Sequence, residues 1–169
     1  MMNEWDQRKM AAGDVMQMAE WVGDLAQWEV IAHLTWKDWI DKHGDPHGIT
    51  VGGASRSFER FMRKQLPGVS YFYAVEPNPS RDGSHVHALW ADTRTVSRKD
   101  TWAAWFKRYG RARIEPVRNQ RDVTDYCGKH LVAASYTTKQ AVWWNVKLQW
   151  HRVQALHNAD FKLREGGGL

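Results

Sequence analysis

The sequence is poor in cysteine, since Cys127 is the single one among 169 residues. One cysteine excludes an intramolecular disulfide and any zinc site built from several cysteines. No run approaches the roughly 18 apolar residues of a membrane span, and the N-terminus, Met-Met-Asn-Glu-Trp-Asp, lacks the apolar stretch of a secretory signal. We therefore expect a cytoplasmic protein that contacts no membrane.

The remaining composition is that of a folded, basic domain. The 43% hydrophobic residues and 11 tryptophans favour a packed core over a disordered chain. The net charge of +5 and the pI near 9.4 favour a polyanionic partner, with nucleic acid as the first choice. At this length we expect one domain, residues 1–169.

Hydrophobic periodicity divides the chain into helices and strands. The predicted helices cover residues 4–25, 55–66, 97–109, 121–134 and 139–160, and the predicted strands cover residues 28–36, 69–76, 84–91 and 111–117. The order β-α-β-β-α-β in the central part implies an α+β fold, with a ferredoxin-like antiparallel sheet and helices packed mainly on one face. The other face is expected to be open, with the first and last helices flanking the core.

Two histidines, His85 and His87, alternate with apolar residues in the second strand of a predicted hairpin. Residues i and i+2 of a strand point to the same face, so the two imidazoles could share one metal ion. The turn at 77–83 should place Glu76 opposite or nearly opposite His85. One carboxylate and two imidazoles suit Mg²⁺ or Mn²⁺, and Zn²⁺ or Co²⁺ also fit. The alternative is a pair of surface histidines, because such a short motif arises by chance.

A tyrosine and a lysine lie one turn apart on the predicted helix 121–134. The apolar stripe of this helix consists of Val123, Cys127 and Leu131. Tyr126 is about 60° from Val123 on the helical wheel, so its ring can pack while its hydroxyl points outward. Lys129 can place its ammonium near that hydroxyl or near a phosphate. The alternative is a tyrosine at the edge of the core and a solvated lysine.

Taken in order, these motifs resemble the HUH endonuclease superfamily, specifically the single-tyrosine rolling-circle replication initiators of phages, plasmids and small single-stranded DNA viruses. The segment His33-Leu-Thr-Trp36 resembles the family's first motif, Glu76-x8-His85-x-His87 its metal motif, and Asp125-Tyr126-Cys-Gly-Lys129 its nucleophile motif. The segment 113–117 looks like the strand that precedes the tyrosine helix. The resemblance covers residues 26–134, the core of the predicted domain.

The resemblance implies a site-specific DNA endonuclease and strand transferase that nicks and rejoins single-stranded DNA at a replication origin, in the cytoplasm of a host cell. Glu76, His85 and His87 would hold one Mn²⁺ or Mg²⁺ ion. Tyr126 would form a 5′-phosphotyrosine and release a free 3′-hydroxyl, and Lys129 would stabilise the phenolate or the phosphate.

The chain departs from the family pattern in two ways. Position 130 is a histidine, His130, where two-tyrosine initiators carry their second tyrosine, which indicates the one-tyrosine class. The sequence also contains no G-x-x-x-x-G-K-[ST] phosphate loop. We therefore expect no nucleotide cofactor, and a helicase and a polymerase supplied by other proteins.

Basic residues and the open face of the sheet are expected to bind single-stranded DNA. The basic candidates are Arg56, Arg60, Arg63, Lys64, Arg111 and Arg113. The residues considered for lining the site are His33, Thr35 and His130, with a hydrogen-bonded structural role expected first for His33. The tryptophans at helical spacing, which are expected in the core, are Trp102, Trp105, Trp143 and Trp150.

Two other functions fit the sequence. A tyrosine transposase or relaxase-like strand transferase would use the same chemistry at Tyr126, although the compact chain and the Tyr-x-x-Lys spacing favour the initiator. A non-catalytic module that binds single-stranded nucleic acid through a ferredoxin-like sheet would need exposed aromatic side chains on the central strands. Phe72 is the one aromatic residue expected on the open face of the hairpin, which argues against that module.

Overall fold

The computed structural model describes residues 17, 19–127, 143–149 and 151–152. These residues form an α+β fold built around a five-stranded antiparallel sheet. The strands are β1 Val30–Thr35, β2 Trp39–Ile40, β3 Pro46–His47, β4 Ser70–Pro77, β5 Ser84–Ala91, β6 Ala112–Pro116 and β7 Trp143–Lys147. The helices are α1 Val51–Gln65, α2 Arg98–Arg108 and α3 Gln120–Cys127, and residues 19–25 are also helical.

The strand order in the large sheet is β6-β1-β5-β4-β7, and β2 and β3 form a separate small hairpin. The series β1-α1-β4-β5-α2-β6 has the predicted β-α-β-β-α-β order, and the sheet it forms is compatible with a ferredoxin-like arrangement. This order makes β1, β5 and β4 the three central strands. The histidines and the carboxylate singled out in the sequence all lie on these strands.

One face of the sheet packs against α1 and α2. Helix α1 buries Phe58, Phe61 and Met62 there, and α2 buries Trp105. Complete burial of an apolar side chain contributes about 1.5–3 kcal/mol. The indole Nε1 of Trp105 donates a hydrogen bond to the Thr35 carbonyl at 3.1 Å, so its polar group is also satisfied. The prediction that the apolar face of β5 meets the helices is confirmed.

The second face is covered by helices as well, which corrects the expectation of helices mainly on one side. Ala19 and Val22 of the helical segment 19–25, together with Val123 of α3, pack against Phe72 and Leu89. The reason is that Phe72 and Leu89 make much of this face apolar, and apolar surface of that size is shielded from water. The polar part of this face is the end that carries the histidines.

The C-terminal extension, predicted as a helix over 139–160, instead contains strand β7, which pairs antiparallel with β4. The open edge of β4 offers a row of backbone donors and acceptors, and a fifth strand satisfies them. This gain outweighs the helical spacing of the apolar residues in the segment. Apart from residues 148–149 and 151–152, the rest of that predicted helix lies outside the described residues. So do residues 4–16 and 18 of the predicted N-terminal helix.

Asp92, which follows β5, anchors the segment after β7. Its φ of 63° lies in the left-handed region, which aspartate tolerates better than most residues. Its carboxylate accepts hydrogen bonds from Nε and Nη2 of Arg152 at 2.7 and 2.8 Å and from Oγ of Ser70 at 2.5 Å. These contacts lower the pKa of Asp92 to about 2, and the hydrogen bond from Arg152 has the largest effect. The carboxylate therefore ties the chain beyond β7 to the end of β5.

Two glycines allow the β2–β3 hairpin to touch the turn between β4 and β5. A Cβ atom on Gly48 would lie 2.3 Å from the Cα atom of Gly83, far inside contact distance, and Gly83 itself has a φ of 98°. The Gly48 N–H donates to Asp82 Oδ2 at 2.9 Å, and Arg81 Nη1 donates to both carboxylate oxygens of Asp38. The hairpin therefore buttresses the turn that leads directly into the histidine strand.

The helix starts show where capping side chains decided the boundaries. Ser97, the first residue of the predicted helix 97–109, caps α2, and its hydroxyl accepts a hydrogen bond from the Asp100 N–H. Helix α1 begins at Val51, earlier than the predicted residue 55, because the Thr50 hydroxyl accepts from the Gly53 N–H and caps it. Residues 41–53, which lie between the predicted strand 28–36 and the predicted helix 55–66, therefore contain a strand of the small hairpin and the first turn of α1.

A candidate metal and tyrosine site

Three neighbouring strands gather four side chains in two adjacent rows of one sheet face. His33 of β1 lies opposite His87 of β5, and Glu76 of β4 lies opposite His85 of β5. Directly opposed residues of antiparallel strands project to the same side, as do residues i and i+2 of one strand. The predicted pairing of Glu76 with His85 is therefore confirmed, and three imidazoles and one carboxylate share the end of this face.

The carboxylate of Glu76 lies beside two imidazoles. Its Oε2 atom is 3.5 Å from His85 Nε2 and 3.7 Å from His87 Nε2, which is longer than a hydrogen bond. Two donors bound to one metal ion at about 2.1 Å are about 3.0–3.4 Å apart, so a small adjustment brings the three atoms into one coordination sphere. Glu76 is 8% exposed, and a buried carboxylate is costly without a positive partner. These residues fit a divalent cation.

His33 completes a group of three imidazoles. One ring nitrogen of His33, His85 and His87 lies within 4.8 Å of the others, and this histidine group could hold a metal ion. The ring of His33 stacks on His87 with 4.5 Å between centroids and meets His85 edge to face at 5.0 Å. The sequence predicted a structural role for His33, but the structure places it among the candidate ligands.

Asn78, which the sequence analysis passed over, orients His85. The Asn78 Nδ2 donates to the Asp82 carbonyl at 3.1 Å, which leaves Oδ1 as the acceptor facing His85 Nδ1 at 3.0 Å. The Nδ1 atom of His85 therefore donates to Asn78, and its Nε2 atom lies on the side of Glu76. In the sequence, Asn78 lies between two prolines in the turn after Glu76. This position was a signal that a polar side chain is held rigidly near the site.

Helix α3 lies on the same sheet face as the histidines. The Asn119 side chain accepts from the Asp122 N–H at 2.9 Å at the start of the helix, in the manner of an N-cap. Gln120 Nε2 donates to the Trp28 carbonyl at 3.0 Å, which fixes the helix start to the chain just before β1. Val123 is fully buried against the sheet. These contacts set which way the next turn of the helix faces.

Tyr126 extends from that next turn to the histidines. It is half-buried, and its ring packs with the apolar cluster of this face, as the predicted position beside Val123 requires. Its hydroxyl is hydrogen-bonded to Nδ1 of His87, and the two rings have centroids 5.3 Å apart. With a cation on its Nε2 atom, His87 would carry its proton on Nδ1 and donate it to the tyrosine oxygen. The hydroxyl of Tyr126 is therefore held one imidazole ring away from the candidate metal position.

The basic residues predicted to bind DNA fall into two groups. Those of α1, namely Arg56, Arg60, Arg63 and Lys64, are exposed on a helix that packs on the sheet face opposite the histidines. The structure does not bring them to the site, because the apolar side of α1 seats the helix on that other face. Arg113 is different, since it lies opposite His33 in the sheet and forms an ion pair with Glu115 at 3.0 Å.

Arg111 is also close to the site through Thr35. The Arg111 carbonyl accepts hydrogen bonds from the backbone N–H of Thr35 at 2.9 Å and from its hydroxyl at 3.2 Å. Thr35 lies opposite His85, so both predicted lining residues of β1 are on the histidine face. Lys129 and His130 lie outside the described residues, so their roles stay predictions.

Two of the tryptophans expected in the core have opposite environments. Trp105 is fully buried, which confirms the expectation, but Trp102 is 43% exposed. The two side chains are about 60° apart on α2, and the helix contacts the sheet through Thr101 and Trp105. The side chains of Trp143 and Trp150 lie outside what the structure describes.

Comparisons with protein-family models, curated proteins and solved structures give no match for this chain. The geometry alone defines the class: an α+β protein in which a histidine group that could hold a metal ion lies beside a tyrosine hydroxyl. None of the helices within the described residues is long and apolar enough to cross a bilayer.

Proposed function

We propose that this protein is a metal-dependent enzyme of the HUH type that nicks and rejoins single-stranded DNA through Tyr126, and that it initiates rolling-circle replication. The observation that carries the proposal is the contact between the Tyr126 hydroxyl and His87, because His87 shares its sheet face with His85 and Glu76. The proposed nucleophile therefore lies beside residues suited to bind a cation that would neutralise a phosphate. The strand order supports a ferredoxin-like fold of the Rep type.

In the proposed reaction the oxygen of Tyr126 attacks the scissile phosphorus. The bond from Tyr126 Oη to phosphorus forms and the bond from phosphorus to the 3′ oxygen breaks, with loss of the phenolic proton and protonation of the leaving oxygen. The products are a 5′-phosphotyrosine and a free 3′-hydroxyl, which can prime a polymerase and later rejoin the strand by the reverse attack. His87 positions the attacking oxygen through its Nδ1–H.

Glu76, His85 and His87 would hold the cation, with His33 as a further imidazole ligand. When bound, a divalent cation would neutralise the non-bridging oxygens of the phosphate and orient it. A donor set rich in imidazole favours Mn²⁺ over Mg²⁺, because Mg²⁺ prefers oxygen ligands. We therefore propose Mn²⁺ as the better activator of the two.

The proposal also assigns roles to a residue outside the described part of the chain and to partner molecules. Lys129 would stabilise the phenolate or the phosphate from the continuation of α3. A helicase and a polymerase would come from other proteins, and the DNA substrate would be an origin exposed as a single strand.

A covalent-adduct assay tests the proposal. The full chain is incubated with Mn²⁺ and a pool of end-labelled, randomised single-stranded oligonucleotides, and the products are separated on a denaturing gel. We expect a protein–DNA adduct that disappears with chelator and is absent for Tyr126→Phe. Sequencing the DNA in the adduct would then give the nick site.

A second tyrosine provides the matched control. Tyr71 is buried on the opposite sheet face, so Tyr71→Phe removes the same hydroxyl without touching the site and should retain the adduct. An adduct that persists in Tyr126→Phe would move the nucleophile elsewhere. Absence of any adduct with the unaltered protein would favour a module that only binds nucleic acid.

That binding module is the second candidate function, and one observation favours it. Phe72 is joined on its sheet face by Trp144 of β7, which is 43% exposed and stacks with Phe72 at 6.0 Å between centroids. Phe72 itself is buried, so the aromatic surface that this pair offers to solvent is that of Trp144. Such surface serves single-strand binding in either function, so the adduct assay separates the two candidates. A transposase or relaxase would give the same adduct.

A further inference from the structure

An open groove of about 620 Å³ begins at the end of β1, beside the histidine group. Its lining includes Thr35, Lys37, Phe106 and Arg111. Thr35 lies opposite His85 in the sheet, and directly opposed Cα atoms of antiparallel strands are about 4.5–5.5 Å apart. Thr35, at one end of the groove, is therefore one strand away from the candidate metal ligands, whereas Phe106 belongs to α2, which packs on the other face of the sheet.

Phe106 lines the groove, and Trp102 supports its ring from outside the lining. Phe106 and Trp102 are 44% and 43% exposed, and their rings stack with centroids 5.0 Å apart and an angle of 11° between their planes. The indole Nε1 of Trp102 donates to the Ala112 carbonyl at 3.0 Å, which holds the pair against β6. Large aromatic rings left in water mark binding surfaces, and a rigid ring is a platform on which a nucleic-acid base can stack.

The cations of the groove lie next to this aromatic pair. The Nζ atom of Lys37 lies 5.6 Å from the centre of the Phe106 ring. The Lys37 backbone N–H donates to the Tyr109 carbonyl at 2.8 Å, and the Arg111 carbonyl is held by Thr35, so both exposed basic residues project from a fixed backbone. Among the described residues of the lining, the carboxylate is that of Asp38, and it accepts hydrogen bonds from Arg81. The groove therefore presents a positive charge suited to phosphates.

We propose that this groove binds single-stranded DNA, with a base stacked on Phe106 and backbone phosphates on Lys37 and Arg111, and that it leads the strand to Tyr126. The path of the strand to Tyr126 rests on the proposed function, whereas binding of single-stranded DNA in the groove does not. A single strand is the occupant because unpaired bases can turn a face toward the ring, while bases of a duplex are already stacked on one another.

Fluorescence anisotropy with a labelled single-stranded oligonucleotide of mixed sequence tests this proposal. The titration uses the full chain carrying Tyr126→Phe, in the presence of chelator, so that neither cleavage nor a metal contributes. We expect Phe106→Leu, which keeps an apolar side chain but removes the ring, to weaken binding roughly tenfold without changing its salt dependence. Phe106→Trp should retain binding.

Arg111→Ala should weaken binding and also reduce the slope of log affinity against log salt by about 0.7, the contribution of one phosphate contact on a single strand. Arg94 provides the matched control, because it is also exposed but follows the far end of β5, about 20 Å from His85 along the strand. Arg94→Ala should keep both the affinity and the slope.

The outcomes separate the groove from the nicking activity. If Phe106→Leu and Arg111→Ala both bind at full strength, or if a duplex of the same sequence binds as tightly as the single strand, the groove proposal is wrong even when the adduct forms. If the groove variants lose binding while no DNA gives an adduct, the groove stands and the nicking proposal fails. Unchanged thermal unfolding of Phe106→Leu will show that its effect is on binding.

Discussion

Removal of the His33 imidazole tests whether the site has three imidazole ligands or two. The nitrogen atoms of the three histidines lie within 4.8 Å of one another, whereas ligands of one metal ion are about 3.0–3.4 Å apart. The rings must therefore close by at most about 1.8 Å. A side chain that departs by some 30° from its rotamer costs about 0.5–1.5 kcal/mol. This cost is small beside the gain from a metal–nitrogen bond, so we expect His33 to bind.

The size of the effect follows from linkage between metal binding and unfolding. At a Mn²⁺ concentration one hundred times the Kd, binding stabilises the folded protein by about 2.7 kcal/mol. For a domain of this size that raises the Tm by about 5–11 °C. If loss of His33 weakens binding about 100-fold, the same concentration contributes about 0.4 kcal/mol, a rise of only about 1–2 °C.

The assay is thermal unfolding followed by the fluorescence of the 11 tryptophans, with and without Mn²⁺, for the parent and for His33→Ala. His43→Ala is the control, because His43 is an exposed residue of the β2–β3 turn. It should keep the full Mn²⁺-dependent rise. A full rise in His33→Ala would refute the three-imidazole site and leave Glu76, His85 and His87 as the ligands. A full rise in His87→Ala as well would refute a metal centre at this position.

Three further predictions concern the elements that surround the site. Asp92→Asn should lower stability at neutral pH by about 1–2 kcal/mol, because the pKa of Asp92 is held at about 2 against an ordinary value of about 3.9 and solvent weakens the full effect. The stabilisation from this carboxylate is complete above about pH 4 and fades as the pH falls toward 2, so acid unfolding of the variant should be less steep in that range. Gly48→Ala should push the β2–β3 hairpin off the β4–β5 turn, and a normal Tm would contradict the close approach to Gly83. Asn78→Leu should weaken Mn²⁺ binding about 10–100-fold with little change in the metal-free Tm, and unchanged Mn²⁺ titration by calorimetry would contradict its role on His85.

The parts of the site that could be predicted were those governed by strand parity and turn position. Alternation along β5 put His85 and His87 on one face, and the turn length put Glu76 opposite His85, because both depend on residues close together in sequence. The half-buried position of Tyr126 followed in the same way from helical spacing to Val123. These predictions were possible because strand alternation, turn length and helical spacing depend on residues that are close in sequence.

The parts that could not be predicted depend on which elements meet across the sheet. His33 comes next to His87 because β1 inserts beside β5, a neighbour more than fifty residues away. Arg63 and Lys64 of α1 are sent to the far face by the apolar side of their own helix. Strand β7 forms because β4 has an open edge, a fact absent from the composition of residues 143–147. Hydrophobic periodicity and secondary-structure propensity do not indicate which distant elements of the chain will pack together.

The two ring hydrogen bonds at the site argue that the histidine group is built to bind a cation. Asn78, from the turn before β5, accepts at Nδ1 of His85, and Tyr126, from a helix about forty residues later, lies against Nδ1 of His87. Each contact leaves the Nε2 atom of its ring directed toward the same carboxylate oxygen of Glu76. Surface histidines without a ligand have no reason to direct the same ring nitrogen at one carboxylate oxygen, whereas metal-binding histidines are regularly held through the other ring nitrogen. Since one of the two restraints is the tyrosine itself, any cation at Nε2 of His87 is linked through a single ring to the hydroxyl proposed to attack DNA.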